Sequence, residues 1–274
     1  MTYKRILTIQ DISCVGQCSA TVALPILSAC GHETCILPTA LLSTHTGGFG
    51  RPAVVHLADA LESVVRHWQE NGILFDAILV GYLGSVEAVR LTSEILDTML
   101  TTDGISIVDP ALADHGKIYS GLSEEYAAAM EQLCRKAEII LPNITEAALF
   151  SGSPYQDQPD QPYIERLLNK LDHPCVILTG VGFAPDRTGV LISDREGLFH
   201  YSHERIGKNC SGTGDMFAAC FTGALLRGKS KREAVKIAAD FVCSSITLTA
   251  EAPAHWYGVK FEPVLPDLMR ILKK

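Results

Sequence analysis

The chain has 274 residues, of which 47% are hydrophobic and 20% are charged, so it carries enough apolar material for a globular core. Its formal net charge of −8 argues against nucleic acid or an anionic membrane surface as a partner, because both bind a basic face. No apolar run is long enough to span a bilayer and no signal-peptide pattern opens the chain, so we expect a cytoplasmic protein.

Short apolar runs, partly β-branched, alternate along the chain with longer stretches of helical spacing. The runs predict buried strands at 6–9, 77–80, 105–108, 139–141 and 176–179. The stretches predict helices at 52–70, 86–100, 123–136 and 163–171. This order predicts an α/β fold with a mostly parallel central sheet and helices on both faces.

The pattern changes after residue 179. Two shorter runs, 189–193 and 197–201, are separated by a turn and predict a hairpin that adds antiparallel strands. Helices are then predicted over 212–227 and 231–250, and a last one begins at about residue 263. No repeat, low-complexity tract or linker interrupts the pattern, so we predict one domain over residues 1–274.

Polar or small residues follow the predicted strands. In chain order they are Gln10-Asp11, Gly81-Tyr82, Asp109-Pro110, Pro142-Asn143 and Gly180. Ligands bind parallel α/β sheets beyond the carboxyl ends of the strands. We therefore expect these residues to line one edge of the sheet and to form the functional site.

The sharpest local signal is Ser211-Gly212-Thr213-Gly214-Asp215, a turn that runs directly into an amphipathic helix. Glycines let the backbone approach a phosphate, and the free N–H groups of a first helical turn attract anions. Asp215 could accept the proton of an attacking alcohol while those amides stabilise a transferred phosphoryl group. Alternatively, Ser211 or Thr213 and Asp215 merely cap the helix, and spacing alone leaves the two interpretations equal.

The two common nucleotide-binding motifs are missing from the sequence. No Gly-x-x-x-x-Gly-Lys-Ser/Thr occurs, and Gly212-Thr213-Gly214 is too short for a dinucleotide fingerprint. A kinase of another architecture, with its anion-binding turn late in the chain, remains open.

A second group of oxygen-bearing residues follows two predicted strands: Asp109, Asp114, Asn143 and Glu146. Oxygen ligands suit Mg²⁺, and we predict that this group holds a hydrated ion, directly or through water, against nucleotide phosphates. Asn143 and Glu146 also have the spacing of a helix cap with its reciprocal partner. We favour the functional interpretation, because two acidic strand ends fall on one predicted edge.

The stretch 42–50 is glycine-rich and reads as a substrate loop or lid, with His45 inside it. Tyr82 follows a strand and could stack on a planar ring, although a lone tyrosine at such a place more often serves packing.

Taken together, these segments resemble the pyridoxal kinase family of the ribokinase superfamily over nearly the whole chain. The resemblance rests on Ile9-Gln10, Ser43-Thr44-His45-Thr46-Gly47, Gly81-Tyr82-Leu83-Gly84-Ser85, Asp109-Pro110, Leu141-Pro142-Asn143-Ile144-Thr145-Glu146-Ala147 and Gly212-Thr213-Gly214-Asp215. It implies a ribokinase-like three-layer sandwich. It also implies ATP-dependent phosphorylation of the 5′-hydroxymethyl group of pyridoxal, pyridoxine or pyridoxamine.

The same resemblance implies residue roles. The base and the anion hole would be Asp215, Gly212, Thr213 and Gly214. Nucleotide, phosphate and metal positions would be Asp109, Asp114, Asn143, Glu146, Thr179 and Gly180. Positions around the pyridine ring would be Asp11, Ser13, His45, Thr46 and Tyr82. Mg²⁺ is implied, a monovalent cation such as K⁺ is compatible, and the family is usually homodimeric.

One position departs from the family. Many pyridoxal kinases have Ser after Ile-Gln, whereas this chain has Asp11. A carboxylate only accepts hydrogen bonds, so it could favour a protonated ring nitrogen or a bound amine. Ser13 could supply the missing hydroxyl, and the preferred vitamer stays open.

Three rival functions remain at this point. A hydroxymethylpyrimidine kinase of the thiamin pathway shares the fold, but such enzymes commonly carry Cys where this chain has Asp215. A sugar kinase is disfavoured, because the N-terminal third lacks the long glycine-rich segments of that branch. A non-catalytic vitamer-binding protein is the rival of another class, and the presence of Asp215 speaks against it.

Overall fold

The computed structural model describes residues 3–208 and 210–273; Met1, Thr2, Asn209 and Lys274 lie outside the described residues. The strands are β1 (Arg5–Ser13), β2 (Glu33–Leu42), β3 (Val54–His56), β4 (Phe75–Val80), β5 (Leu100–Val108), β6 (Ala113–Asp114), β7 (Lys117–Ile118), β8 (Ile139–Ile140), β9 (Val176–Thr179), β10 (Arg187–Asp194) and β11 (Gly197–Glu204). The helices are α1 (Ala20–Ala29), α2 (Ala58–Glu70), α3 (Val86–Thr98), α4 (Glu124–Lys136), α5 (Ile144–Phe150), α6 (Gln161–Leu171), α7 (Thr213–Leu226), α8 (Lys231–Ala250) and α9 (Leu265–Leu272), the last preceded by a 3₁₀ turn at Glu262–Val264.

Within the described residues, one sheet has the strand order β11-β10-β9-β8-β5-β4-β1-β2-β3. Neighbouring strands from β9 through β2 are parallel, whereas the pairs β2 with β3, β9 with β10 and β10 with β11 are antiparallel. Strands β6 and β7 form a separate small hairpin. The predicted α/β fold with a mostly parallel sheet is thus confirmed, as is the predicted hairpin.

Helices cover both faces of the sheet. Leu7 and Ile9 of β1 pack in the layer that contains α2, α3, α4, α5 and α6. Ile6 packs in the opposite layer, with α1, α7, α8 and α9. Because both faces are buried, the strands read as unbroken apolar runs rather than as alternating ones. No helix of the described residues is long and apolar enough to cross a lipid bilayer.

The structure corrects three parts of the sequence-based prediction. The helix predicted at 52–70 begins only at Ala58, because Val54–His56 forms an exposed edge strand on β2. Strand β2 and helices α1 and α5 were not predicted. Strand β1 does not end at Ile9; a bulge between Gln10 and Ile12 carries it on to Ser13, paired with β2 alone.

Candidate active site

Helix α7 starts at the carboxyl edge of the sheet with an open first turn. Its N-cap is Gly212, whose φ of +83° is a conformation that glycine adopts freely. A side chain there would collide with the carbonyl oxygen of Gln17. Within residues 3–208 and 210–273, no side chain accepts a hydrogen bond from the amides of Thr213, Gly214 or Asp215. Those N–H groups can therefore bind an anion.

The carboxylate of Asp215 turns away from the amides of its own helix. Its Oδ2 accepts a hydrogen bond from the backbone N–H of Ser19 at 2.8 Å. Burial raises the pKa of Asp215 to about 6; the Ser19 hydrogen bond opposes that rise and the negative charge of Asp11 adds to it. The interpretation of Asp215 as a helix cap is therefore wrong.

A small cleft joins this turn to the strand ends. Its lining includes Gln10 of β1, Gly81 after β4, Asp109 after β5, and Asp215 and Ala218 of α7. A Cβ on Gly81 would lie 2.5 Å from Oε1 of Gln10, so glycine at this position lets that side chain lie across the strand end. The cleft thus places the Gln10 side chain and two carboxyl groups in one lining.

Asp109 lies next to the open turn of α7. A Cβ built on Gly214 would be 3.7 Å from Oδ2 of Asp109. The pKa of Asp109 is well above the usual range, chiefly because the group is buried and then because Glu146 and Asp215 are negatively charged neighbours. Three carboxyl groups therefore share one end of the sheet, an arrangement that a bound cation would stabilise.

Glu146 and Asn143 form a complete capping box at the start of α5. Oδ1 of Asn143 accepts from the Glu146 amide at 3.0 Å, and Oε2 of Glu146 accepts from the Asn143 amide at 2.9 Å. The other oxygen of Glu146 accepts from the amides of Leu112 at 2.9 Å and Ala113 at 3.3 Å. Glu146 is 1% exposed, and burial raises its pKa to about 7 against the effect of these hydrogen bonds.

The predicted metal ligands Asp109, Asp114 and Glu146 do not come together as one site. Among the described residues, no group of three or more His, Cys, Asp or Glu side chains could hold a metal ion. The carboxylate oxygens of Glu146 already accept from backbone amides, and the side chain of Asp114 is 53% exposed. Asp109 alone among the three lies in the cleft with Asp215.

The predicted nucleotide positions lie side by side at the ends of β8 and β9. Asn143 and Thr179 form an isolated parallel bridge, and the Thr179 amide donates to the Pro142 carbonyl oxygen at 3.0 Å. Gly180 follows with φ of +75°, exposed and with open space around its Cα. The side-chain amide of Asn143 donates to the Ala113 carbonyl oxygen at 2.7 Å, which fixes its orientation.

Asp11 and Ser13 project from the bulged end of β1. Ser13 Oγ donates to Oδ2 of Asp11 at 3.1 Å, and Asp11 is only 3% exposed. Burial raises the pKa of Asp11, while hydrogen bonds from Ser19 and Ser13 and the proximity of His45 lower it. Ser19 was not predicted as a site residue. It holds φ of +52°, a strained conformation of the kind that occurs at functional sites.

His45 and Tyr82 lie near Asp11, as their pKa values indicate. Burial lowers the pKa of His45 and the charge of Asp11 raises it; burial and that same charge both raise the pKa of Tyr82. The Nδ1 atom of His45 accepts from the Gly47 amide at 3.0 Å. Thr46, the other predicted ring contact, is exposed.

The glycine-rich segment 43–50 packs on a distant part of the chain. The ring of Phe49 lies 4.6 Å from that of Trp256 and 5.3 Å from that of Tyr257, centroid to centroid. His255 in the same loop is 3.0 Å from the Oε1 atom of Gln17. No local signal identifies these contacts in the sequence, because the partners are about two hundred residues apart.

Comparison with known proteins matches this chain to one family and to solved structures along its full length. Residues 27–259 match the phosphomethylpyrimidine kinase family. A pyridoxal kinase structure from Lactobacillus plantarum is 34% identical, with a TM-score of 0.91 and 98% of each chain covered. A structure from Bacteroides thetaiotaomicron, described as a candidate phosphomethylpyrimidine kinase in a crystal form with pyridoxal, is 28% identical, with a TM-score of 0.91 over 100% of this chain and 96% of that one.

A sequence relative supports the same family assignment. The pyridoxal kinase of Actinobacillus pleuropneumoniae is 28% identical over 269 residues, which cover 92% of this chain and 91% of the relative. The chain therefore spans nearly the whole length of its relatives. Its fold is the ribokinase-like fold of the solved pyridoxal kinases.

Proposed function

The chain belongs to the phosphomethylpyrimidine kinase family, and on that premise we propose that it transfers the γ-phosphoryl group of ATP to the 5′-hydroxymethyl group of a vitamin B6 vitamer. One observation carries the proposal. The open turn of α7 leaves backbone amides free beside Asp215, whose carboxylate faces away from them. The pyridoxal kinases among its relatives favour a vitamer as the acceptor.

In this proposal Asp215 is the general base. Its pKa of about 6 makes it mostly ionised at neutral pH, yet basic enough to accept the proton of the acceptor hydroxyl. The Ser19 amide holds Oδ2, so the carboxylate presents a fixed face to the cleft. The amides of Gly212, Thr213 and Gly214 then form an anion hole for the phosphoryl group in transfer.

We propose that the nucleotide lies over the ends of β8 and β9, with its phosphates directed to α7. Thr179 and Gly180 would face those phosphates, and Asn143 would hold the strand end beside them. The carboxylate-rich edge fits Mg²⁺ bound through Asp109, water and phosphate oxygens. When bound, Mg²⁺ would neutralise charge on the transferred group.

His45, Thr46, Tyr82, Asp11 and Ser13 complete the proposal as the residues around the pyridine ring. The proximity of Asp11 to His45 and Tyr82 supports this grouping. Closing the segment 43–50 over the acceptor would exclude water, and its aromatic contact with Trp256 supports a lid that docks in one position.

A hydroxymethylpyrimidine kinase is the second candidate function, because the matched family is the phosphomethylpyrimidine kinase family. Both acceptors present a hydroxymethyl group on a nitrogen heterocycle. Asp215 favours the vitamer, since the pyrimidine kinases commonly carry Cys at the matching position.

The test is an ATP-consumption assay with Mg²⁺ and each acceptor in turn: pyridoxal, pyridoxine, pyridoxamine and hydroxymethylpyrimidine. Mass spectrometry of the products identifies the phosphorylated compound. We expect turnover with the vitamers, and turnover with the pyrimidine alone would establish the second candidate. Binding of a vitamer without turnover would instead establish a non-catalytic vitamer-binding protein.

We also propose a homodimer, which light scattering of the purified chain would test.

A further inference from the structure

Asp11 is a buried carboxylate at the point where several site elements meet. It lies on the bulged end of β1, and its charge acts on Asp215 of α7, on Tyr82 after β4 and on His45 of the lid segment. Only 3% of the residue is exposed. The carboxylate is therefore buried within electrostatic reach of side chains from three other site elements.

No cationic side chain balances this charge. Among residues 3–208 and 210–273, none of the ion pairs involves Asp11. His45 is a nearby titratable group, and burial lowers its pKa, which favours the neutral ring. A buried carboxylate held only by hydroxyl and amide donors costs free energy, which a cation in contact with it would offset.

Ser19 lies beside both Asp11 and the proposed base. Its backbone N–H donates to Oδ2 of Asp215 at 2.8 Å, and its side chain is close enough to Asp11 to lower the pKa of that carboxylate. The two carboxylates are therefore near each other. A group on the acceptor that contacts Asp11 must be close to the hydroxyl that contacts Asp215.

The chemical structures of the three vitamers show which group on the acceptor would contact Asp11. On the pyridine ring the substituent at C4 is ortho to the hydroxymethyl group at C5, whereas the ring nitrogen is meta to it. That C4 substituent is an aminomethyl group, charged as an ammonium, in pyridoxamine, a hydroxymethyl group in pyridoxine and an aldehyde in pyridoxal. We propose that Asp11 pairs with the ammonium group and makes this site selective for pyridoxamine. This inference rests on the proposed function and names its preferred substrate.

The experiment compares pyridoxamine with pyridoxine, which differ only in ammonium against hydroxyl at that position. The kcat/KM with saturating ATP and Mg²⁺, and the Kd from calorimetry, are measured for the parent, Asp11→Asn and Asp11→Ser. A pH of about 8 keeps both Asp215 and an alkylammonium ionised. Asp97→Asn is the matched control, since this exposed carboxylate pairs with Lys136 at 2.6 Å on the surface.

For the parent and the Asp97 control, we expect kcat/KM to be about tenfold or more higher with pyridoxamine than with pyridoxine, as a desolvated ion pair would give. Asp11→Asn should lower kcat/KM for pyridoxamine by roughly 10–100-fold, while pyridoxine changes by less than about threefold. An equal loss for both vitamers would overturn the inference, because it would mean a contact with the shared ring or a folding defect. The kinase function would survive that result.

Failure of the proposed function has a different signature. If the parent phosphorylates no vitamer, the Kd values still decide the role of Asp11. Amine-selective binding that Asp11→Asn abolishes would support the pairing, whereas equal Kd values for the two vitamers would overturn it.

Discussion

Helices α5 and α7 both begin at the carboxyl edge of the sheet, yet their first turns differ in kind. At α5, Asn143 and Glu146 exchange hydrogen bonds with each other's amides and close the turn. At α7 the N-cap is Gly212, and Asp215 is bonded to Ser19 rather than to its own helix. One turn uses its polar groups for stability, whereas the other leaves its amides available.

This difference shows that an oxygen-bearing residue near a helix start does not identify a binding site. What matters is whether the carboxylate caps its own helix or is held by a distant segment. Glu146 does the first and Asp215 does the second, although both are acids with raised pKa values. The predictions below test this contrast, from the largest expected effect to the smallest.

Asp215→Asn should lower kcat by about 10²–10⁴-fold, because an amide cannot accept the proton of the acceptor. The Ser19 amide can still donate to the Asn oxygen, so Tm should change little. Steady-state kinetics with pyridoxine and a thermal melt measure both quantities. Turnover like that of the parent would remove Asp215 as the base.

Glu146→Gln should affect stability more than activity, which is the opposite of the effect expected for Asp215→Asn. The substitution replaces one acceptor oxygen by a donor facing backbone amides, which costs about 1–3 kcal/mol. For a chain of this size that lowers Tm by roughly 3–10 °C. Differential scanning calorimetry measures the loss, and kcat should fall far less than in Asp215→Asn. An unchanged Tm together with lost activity would make Glu146 a functional rather than a structural group.

Asn143→Ala should cost about 1 kcal/mol, because the cap of α5 is lost. Ser230→Ala provides the matched control, since Ser230 and Glu233 form the same capping box at α8. Both variants should lower Tm alike. Only Asn143→Ala should also raise KM for ATP, because the proposed nucleotide site loses the side chain that donates to the Ala113 carbonyl oxygen at 2.7 Å; equal KM values would exclude a nucleotide role for the Asn143 side chain.

The smallest effect concerns pH. The general base works only as a carboxylate, so kcat/KM for pyridoxine should rise as pH increases through about 6 and be lost below it. The negative charge of Asp11 is one cause of that raised pKa. Asp11→Asn should therefore move the rise to lower pH, as a pH profile of kcat/KM would measure. A profile that coincides with the parent would show that the two carboxylates do not interact.

Much of the architecture was predictable from local patterns. Unbroken apolar runs predicted β4, β5, β8 and β9, because strands buried on both faces need apolar residues at consecutive positions. The short turn at Gly212 and Asp215 was also recognisable, since a glycine-rich start of a helix is a local feature. Edge strand β3 was mistaken for helix, because an exposed edge lacks the apolar run that identifies a buried strand.

The contacts that each candidate side chain makes were not predictable in the same way. The pattern Asn143 to Glu146 fits both a cap and a ligand set, and only the three-dimensional structure shows the oxygens of Glu146 facing the amides of residues 112, 113 and 143. The predicted set of Asp109, Asp114 and Glu146 failed as a metal cluster for this reason. Local spacing does not reveal which backbone amides from elsewhere will reach a carboxylate.

By itself, the amino-acid sequence determined the α/β class, the glycine-rich start of α7 and the family resemblance, since each depends on residues close together in the chain. Only the tertiary structure decided that the Ser19 amide binds Asp215 and that Phe49 packs on Trp256. Those contacts link residues nearly two hundred positions or more apart. They form only when the strands and helices fold together and bring distant segments to one edge of the sheet.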